Sequence, residues 1–459
     1  MPLPAQNPSS PALLPPDHPD REALAAEVHA RPPESLTAPC RASYVAVRIE
    51  SEARAVELAH IASLCAGFGL PPPPGGGTQW AADLGRVRFK WERHGEFSSY
   101  TVFEPGTAPL TEPFAEPVAA QLPAGWLAAV PGLTVFAAHA ELATAPQQAP
   151  AGADGEPALP SAEQLAARFG GNVVVGAGIG EGAGLAFTDF MIHPDGFARF
   201  LLLDRNMTAR QAGRMLQRLF EIEAYRMMAL LALPMARGLW TRLLVIERTL
   251  AELTERLAHN RQAAGADEAL LQQLMALAAE VESALAASQA RFGASRAYHA
   301  LVTTRIAELR EQRIQGLQTI DEFMARRLSP AMATCVTVSQ RLHDLSERVA
   351  QASSLLSTRV DIARQQQNQA LLAATARRAK LQLRLQQTVE GLSMAAIVYY
   401  LTGLVGYGAK AAKAAGLHLS PDLVTGAAVP LLAIAAWWVL RGVHRRIADD
   451  EARDDSHSF

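Results

Sequence analysis

Apolar residues recur along this chain at two different spacings, and the change from one to the other divides it. From Arg41 to Asp204 the apolar runs are short, alternating or rich in branched and aromatic side chains, which is the pattern of strands. RASYVAVRI (Arg41 to Ile49) is the first, GRVRFKWERHGE and FSSYTVFE form a hairpin around His94 to Glu96, and another strand lies near Leu133 to His139. NVVVGAGIG, LAFTDFMIH and ARFLLLD are three further strands that extend the same sheet. Helical segments interleave with them. DHPDREALAAEVHARPPESL has Asp17 as its N-cap, Pro19 in the first turn, and a stop at Pro32 and Pro33. ESEARAVELAHIASLCAGFG is amphipathic and ends at Gly67 and Gly69, and a short helix is expected near Glu112 to Ala120. The order predicts an α+β domain over 17–207, with helices on one face of a mainly antiparallel sheet.

From Thr208 onward the spacing is helical. Met227, Met228, Leu230, Leu231 and Leu233 make one richly apolar turn before Pro234, which bends the helix. Helices near Glu268 to Ala287 and Ala297 to Leu328 follow, and Pro330 opens a fresh one. No Pro or Gly then interrupts the chain until after Gln387, so one helix of about 60 residues, on the order of 90 Å, is expected. Leu345, Val349, Leu356, Val360, Ala363, Leu371 and Ala374 lie on drifting apolar rows, and Arg364 to Gln369 (RQQQNQ) is too polar for a two-stranded seam. A helical, coiled-coil-like stalk of several packed helices over 208–390 fits that pattern.

Periodicity disappears at the C-terminal end. Gly391 to Ala409 and Leu423 to Leu440 carry no charge at all, and each is long enough to cross the hydrocarbon core of a bilayer. With their short connector they predict a two-span transmembrane hairpin over 391–446. Arg377, Arg378, Lys380 and Arg384 precede it and Arg441, Arg445 and Arg446 follow it, against Lys410 and Lys413 in the connector. That bias puts both termini, including a tail over 447–459, on the cytoplasmic side. Trp437 and Trp438 are placed as an interfacial anchor, and Pro430 kinks the second span.

Composition narrows the function classes. The 459 residues suffice for two or three domains, and the net charge of −3 argues against general nucleic-acid binding. Cys40, Cys65 and Cys335 are far apart and indicate neither a zinc site nor a disulfide framework. Residues 1–16 read as a proline-rich flexible arm without the features of a secretory signal, and 143–160 (ATAPQQAPAGADGEPALP) as a disordered insert. The glycines at 176, 178, 180, 182 and 184 do not open a helix and lack the Lys-Ser/Thr pair of a phosphate loop, so they mark a tight turn between strands.

Three groups of residues stand out as candidate sites. His18, Arg21, Glu27, His29 and Arg31 cluster near the start, where a helix-end structural role outweighs metal ligation because the spacing matches no metal pattern. Glu221, Glu223, Tyr225 and Arg226 are a polar group before the Met-rich turn, expected to dock the sheet on the helices or to form an effector site. Thr402, Gly403, Gly406, Tyr407 and Gly408 lie in the first span, as a small-residue packing face or a pore lining. No serine, cysteine or paired carboxylate stands in a nucleophile or acid/base setting, so no enzyme activity, cofactor or catalytic residue is expected.

DHPDREALAAEVHARPPESL, EIEAYRMMALLALPMAR, EFMARRLSPAMATC, SERVAQASSLLSTRVD and KLQLRLQQTVEGLSMAAIVYYLTGLVGY resemble segments of the bacterial family of uncharacterised membrane-anchored proteins designated domain of unknown function 3422. The resemblance runs from about Asp17 to Arg446 and implies a place in the inner membrane with no activity to carry over. The order of segments is also similar to CorA-type magnesium channels, although the Gly-Met-Asn motif of that family is absent and Gly406, Tyr407 and Gly408 stand near its place. The expected function is a membrane-anchored, oligomeric, cytoplasm-facing scaffold, with a CorA-like channel or transporter that senses an ion or small ligand as the alternative. The lipid bilayer and further copies of the chain are the expected partners.

Overall fold

The structure is a computed structural model and describes residues 17–28, 32–74, 77–106, 114, 116–145, 160–259, 266–415 and 420–454. In chain order the elements of the first part are α1 (Arg21–Val28), β1 (Cys40–Arg48), α2 (Arg54–Gly67), β2 (Gln79–Asp83), β3 (Arg88–Arg93), β4 (Phe97–Pro105), β5 (Leu133–Thr144), α3 (Ala162–Arg168), β6 (Val175–Ile179), β7 (Gly184–Thr188) and β8 (Ala198–Asp204). Then come α4 (Ala209–Leu230), α5 (Ala232–His259), α6 (Ala266–Leu309), β9 (Gln312–Arg313), α7 (Ile320–Arg327), α8 (Ser329–Ala414) and α9 (Pro421–Asp454). The chain forms two compact units, 1–353 and 354–459.

The first unit is α+β. Its nine strands form one sheet in the order β2-β3-β4-β1-β5-β8-β7-β6-β9, antiparallel throughout except that β5 and β8 run parallel. β1 is buried along nearly its whole length because it lies in the middle of the sheet and is covered on both faces. Val45 and Val47 face one core with Ile61 and Leu64 of α2 and with Phe89, Trp91 and Trp126. Tyr44 points the other way and stacks on Phe220 of α4 at 4.7 Å, and Phe220 also meets Phe200 edge-on. Helices therefore cover both faces of the sheet rather than one. The near-continuous apolar character of SYVAV is the sequence trace of a strand buried on both sides.

Charged groups inside this unit are matched. Glu57 of α2 accepts from Trp91 Nε1 and Tyr100 Oη, each at 2.8 Å, and from Arg54 at 3.1 Å. On the opposite face Lys90 pairs with Glu92 at 2.9 Å and donates to the Pro32 carbonyl. Removing one partner of such a pair leaves an uncompensated buried charge, which costs more than the pair contributes. The segment after Pro32 is clamped against α4: the Leu36 amide donates to the Ala209 carbonyl, and a Cβ on Gly213 would lie 1.7 Å from the Glu34 carbonyl oxygen.

Several expected elements differ in the structure. α1 begins at Arg21, and Asp17, expected to cap it, instead pairs with the Arg21 side chain. Near the helix expected at Glu112 to Ala120 the described residues form a 3-10 turn, Val118–Gln121, and the insert falls mostly on 146–159, outside the described residues. The strand in LAFTDFMIH stops at Thr188, because Phe190 has φ 53°, which no strand tolerates. The two helices expected over 268–328 are one helix, α6, through Gly293 to Leu309. The break comes later, at Arg310 (φ 48°) and Gly316 (φ 85°), where the chain leaves the helix to lay β9 on the sheet edge beside β6. α7 then starts on a reciprocal cap between Thr319 and Glu322. The expected glycine turn is present: Gly180, Glu181 and Gly182 all have positive φ and close the β6–β7 hairpin.

α5, α6 and the first part of α8 form a helical bundle. Their buried rows, Leu243, Ile246 and Leu250, Leu270, Leu274 and Leu277, and Val338, Leu342 and Leu345, follow alternating spacings of three and four. Arg341 of α8 reaches Glu247 of α5 at 2.6 Å and lies over the Trp240 ring, and Arg242 pairs with Glu280 of α6. Along α8 the buried row ends at Val360, and residues 361–389 are exposed on every side.

Three helical stretches are long and apolar enough to cross a membrane by length and composition: 209–259, 320–414 and 421–439. The first was not expected from the absence of charge, and it differs from the others in burial. In its most apolar window 28% is buried, because α4 and α5 carry the core of the first unit, whereas none of the corresponding windows in the other two is buried. In the second unit, α8 and α9 run antiparallel, with Gly406 packed against Thr425 and with Lys410 and Asp422 on the same side of the pair.

Two outcomes follow from this packing. Gly213→Ala is expected to destabilise the protein by about 2 kcal/mol or more, because the obstacle is backbone, while Gly238→Ala, with open space around its Cβ, leaves the Tm unchanged or raises it slightly. Thermal unfolding of both variants measures the difference. His139 is buried, shares a hydrogen bond of 2.9 Å with the Ser43 hydroxyl and stacks on Phe197, and burial pushes its pKa down to about 4. The unfolded chain therefore binds a proton that the folded protein refuses, and stability falls from about pH 6.5 down to about pH 4, by up to about 1.4 kcal/mol per pH unit. His139→Asn flattens that slope of Tm against pH.

Candidate functional site

A cleft of about 540 Å³ opens in the first unit between the β7–β8 loop, the end of α4 and α7. The loop is built around Asp189, whose side chain is fully buried. Asp189 Oδ2 accepts from His193 Nε2 and from Asn172 Nδ2, both at 2.8 Å, and Oδ1 accepts from the Met191 amide. The Phe190 amide donates to Thr188 Oγ1. These bonds hold Phe190 in its left-handed conformation, which costs a non-glycine residue about 1 kcal/mol or more, and press its ring onto Phe323 of α7 at 4.4 Å. The tip beyond it is apolar and exposed: Met191 is 52% and Ile192 63% accessible, and Val173 beside the cleft 87%.

Two guanidinium groups reach the cleft. Arg226, on α4, gives Nε and Nη2 to the two oxygens of Glu223 at 2.5 and 2.8 Å. Burial disfavours its charge, and the Glu223 carboxylate more than offsets this, so the Arg226 pKa is raised. Its Nη1 is not used by Glu223. Arg327, at the end of α7, lines the same cleft and makes no ion pair among the described residues. The arrangement is suited to binding. The cleft walls offer fixed apolar surface and cationic donors, and none of the lining residues is a serine, cysteine or histidine.

The expected polar group on α4 divides between two tasks. Glu221 receives Arg305 of α6 at 2.5 Å, and Tyr225 packs among His94, Phe97 and Tyr298. These two residues dock α4 and α6 on the β3–β4 hairpin, together with the two-pronged contact of Arg291 on Glu96. Glu223 and Arg226 lie towards the cleft instead. In the N-terminal group His18 is exposed and Arg21 is occupied by Asp17, whereas His29 and Arg31 lie outside the described residues and the side chain of Glu27 is not described.

In the second unit Thr402, Gly403, Gly406 and Tyr407 line one cleft between α8 and α9, of about 800 Å³, and Gly408 does not. Thr425 Oγ1 would stand 3.3 Å from a Cβ on Gly406, so this glycine permits close helix approach, and the Thr425 hydroxyl is itself satisfied by the Pro421 carbonyl. Gly408 has open space around it.

Asp189, Phe190, His193 and Arg327 were not singled out in the sequence. LAFTDFMIH reads as one strand, and only the Asp–His spacing of four within it hints at a side-chain bridge. Asp189→Ala leaves three donors without an acceptor and is expected to cost about 2 kcal/mol. Hydrogen exchange at Met191, Ile192 and His193 speeds up in that variant and not in the surrounding strands.

No curated protein and no solved structure matches the chain. The likeness to CorA-type channels thus rests on the order of segments alone. The family model described as protein of unknown function (DUF3422) matches residues 16–447, nearly the whole chain. The protein belongs to this uncharacterised family.

Proposed function

We propose that this protein is a membrane-anchored scaffold whose first unit faces the cytoplasm and which self-associates through α8 and the α8–α9 hairpin. The observation that carries the reading is the stretch 361–389 of α8, exposed on every side yet bearing Leu371, Leu372, Leu381, Leu383 and Leu385 at 57–68% accessibility. Leucines on two sides of one unaccompanied helix are costly in water, and copies of the same helix would cover them. Arg377, Arg378, Lys380 and Arg384 between and after these leucines suit the cytoplasmic side of an anionic membrane.

The anchor in this reading is the pair of uncharged stretches in α8 and α9, which have no buried window, while α4 and α5 stay with the first unit because their apolar rows already pack there. The inner membrane is the site that the basic flanks favour. Light scattering of the detergent-solubilised protein is expected to give a protein mass that is a multiple of the 49.1 kDa chain. Leu381→Glu combined with Leu385→Glu is expected to reduce it towards one chain. A single-chain mass for the unaltered protein, at concentrations from micromolar upward, would sink the scaffold reading.

A further inference from the structure

We propose that the cleft between the β7–β8 loop and α7 binds a monoanionic amphiphile, its apolar body against Phe190, Phe323 and Met324 and its acidic head at Arg327 and the Nη1 side of Arg226. The cleft's size, about 540 Å³, and its predominantly apolar wall suit a small apolar ligand. Charge then selects among such ligands. Both Asp189 oxygens are already taken by His193, Asn172 and the Met191 amide, and both Glu223 oxygens are taken by Arg226. Asp189 also lines the cleft with its oxygens engaged, and among the described residues Arg327 has no carboxylate partner, so its guanidinium is available to an acidic group. An acidic head pairs with Arg327, which a neutral or cationic ligand does not, and a polyphosphate calls for more donors than two guanidinium groups supply.

The strained wall is a second, independent observation. Phe190 is kept in a conformation it resists by the hydrogen bonds of a buried carboxylate network, and strain of this kind is retained where a surface must be held in one shape. Met191 and Ile192 extend the apolar wall outward beside the opening, as an acyl chain longer than the cleft requires. Every residue involved lies in 1–353, so the inference stands apart from how the chain is anchored or assembled.

Titration calorimetry of the full chain in phosphatidylcholine nanodiscs, with protein-free nanodiscs as the blank, tests it with octanoate as the probe. Octanoate is expected to bind one per chain, and octanol and octylammonium at least tenfold more weakly. Arg327→Gln, a change at an exposed position, removes the preference for octanoate over octanol, and Met191→Glu weakens octanoate at least tenfold without lowering the Tm. Repeating the titration with phosphatidylglycerol in the disc distinguishes the sources of the acidic head: competition assigns it to a membrane lipid, and unchanged octanoate affinity assigns it to a free carboxylate. Equal binding of octanoate, octanol and octylammonium, no binding of octanoate, or an Arg327→Gln variant that keeps the octanoate preference would each overturn the proposal.

Discussion

The constraint on which the rest depends is that two uncharged stretches near the C-terminal end, Gly391 to Ala409 and Leu423 to Leu440, leave large apolar side chains exposed. Leu392, Tyr399, Leu404, Leu431 and Trp438 are each at least two-thirds exposed. Each such side chain left in water forgoes about 1.5–3 kcal/mol of burial, and the helices that carry them satisfy their backbone groups internally, as a hydrocarbon medium requires. A close contact between α8 and α9, Gly406 on Thr425, is of the small-residue type that works without a hydrophobic driving force. The apolar stretch of α4 and α5 is partly buried instead, because its apolar positions repeat at helical spacing and pack on the sheet and α6.

The first unit shows the opposite economy. It is a sheet covered on both faces, with charged side chains inside it held by specific partners: Glu57 by a tryptophan, a tyrosine and an arginine, Glu221 by Arg305, Glu96 by Arg291. Those links tie α2 and α6 to the sheet and α4 to α6 at defined places, and breaking the one at the buried Glu57 leaves a charge without a partner. Such an interior fixes the relative placement of the β7–β8 loop, α4 and α7, and that placement is what gives the cleft its shape. The binding surface is thereby a product of the fold and not of a single loop.

How much of this was legible depended on whether a local pattern had one physical solution. The alternation in RASYVAVRI and the glycines around Gly180 each had one, and β1 and the β6–β7 hairpin are where they were expected. The uncharged stretches likewise lie on helices that are long and apolar enough to cross a membrane by length and composition. The break at Arg310 was hidden, because the apolar spacing of Ile306, Leu309, Ile314 and Leu317 continues as if the helix did, and only pairing of Gln312 and Arg313 with β6 interrupts it. Covering of both sheet faces was hidden for the same reason: α4 is some hundred and sixty residues from β1 in sequence, and its Gly213 reveals its role only beside Glu34. Tyr225 and Arg226 were picked out as a group, but their division between docking and cleft depends on which way each points from α4. Phe190 gave no signal, since a left-handed residue other than glycine is a consequence of the bonds around it.

Fractionation of cells expressing the full chain tests the central claim most directly. After alkaline carbonate extraction, which strips proteins held by surface contacts, the account predicts that the intact chain remains in the membrane pellet and is released only by detergent. Recovery of the unproteolysed chain in the aqueous supernatant would contradict it, because the side chains of α8 and α9 would then have found a protein partner in place of lipid.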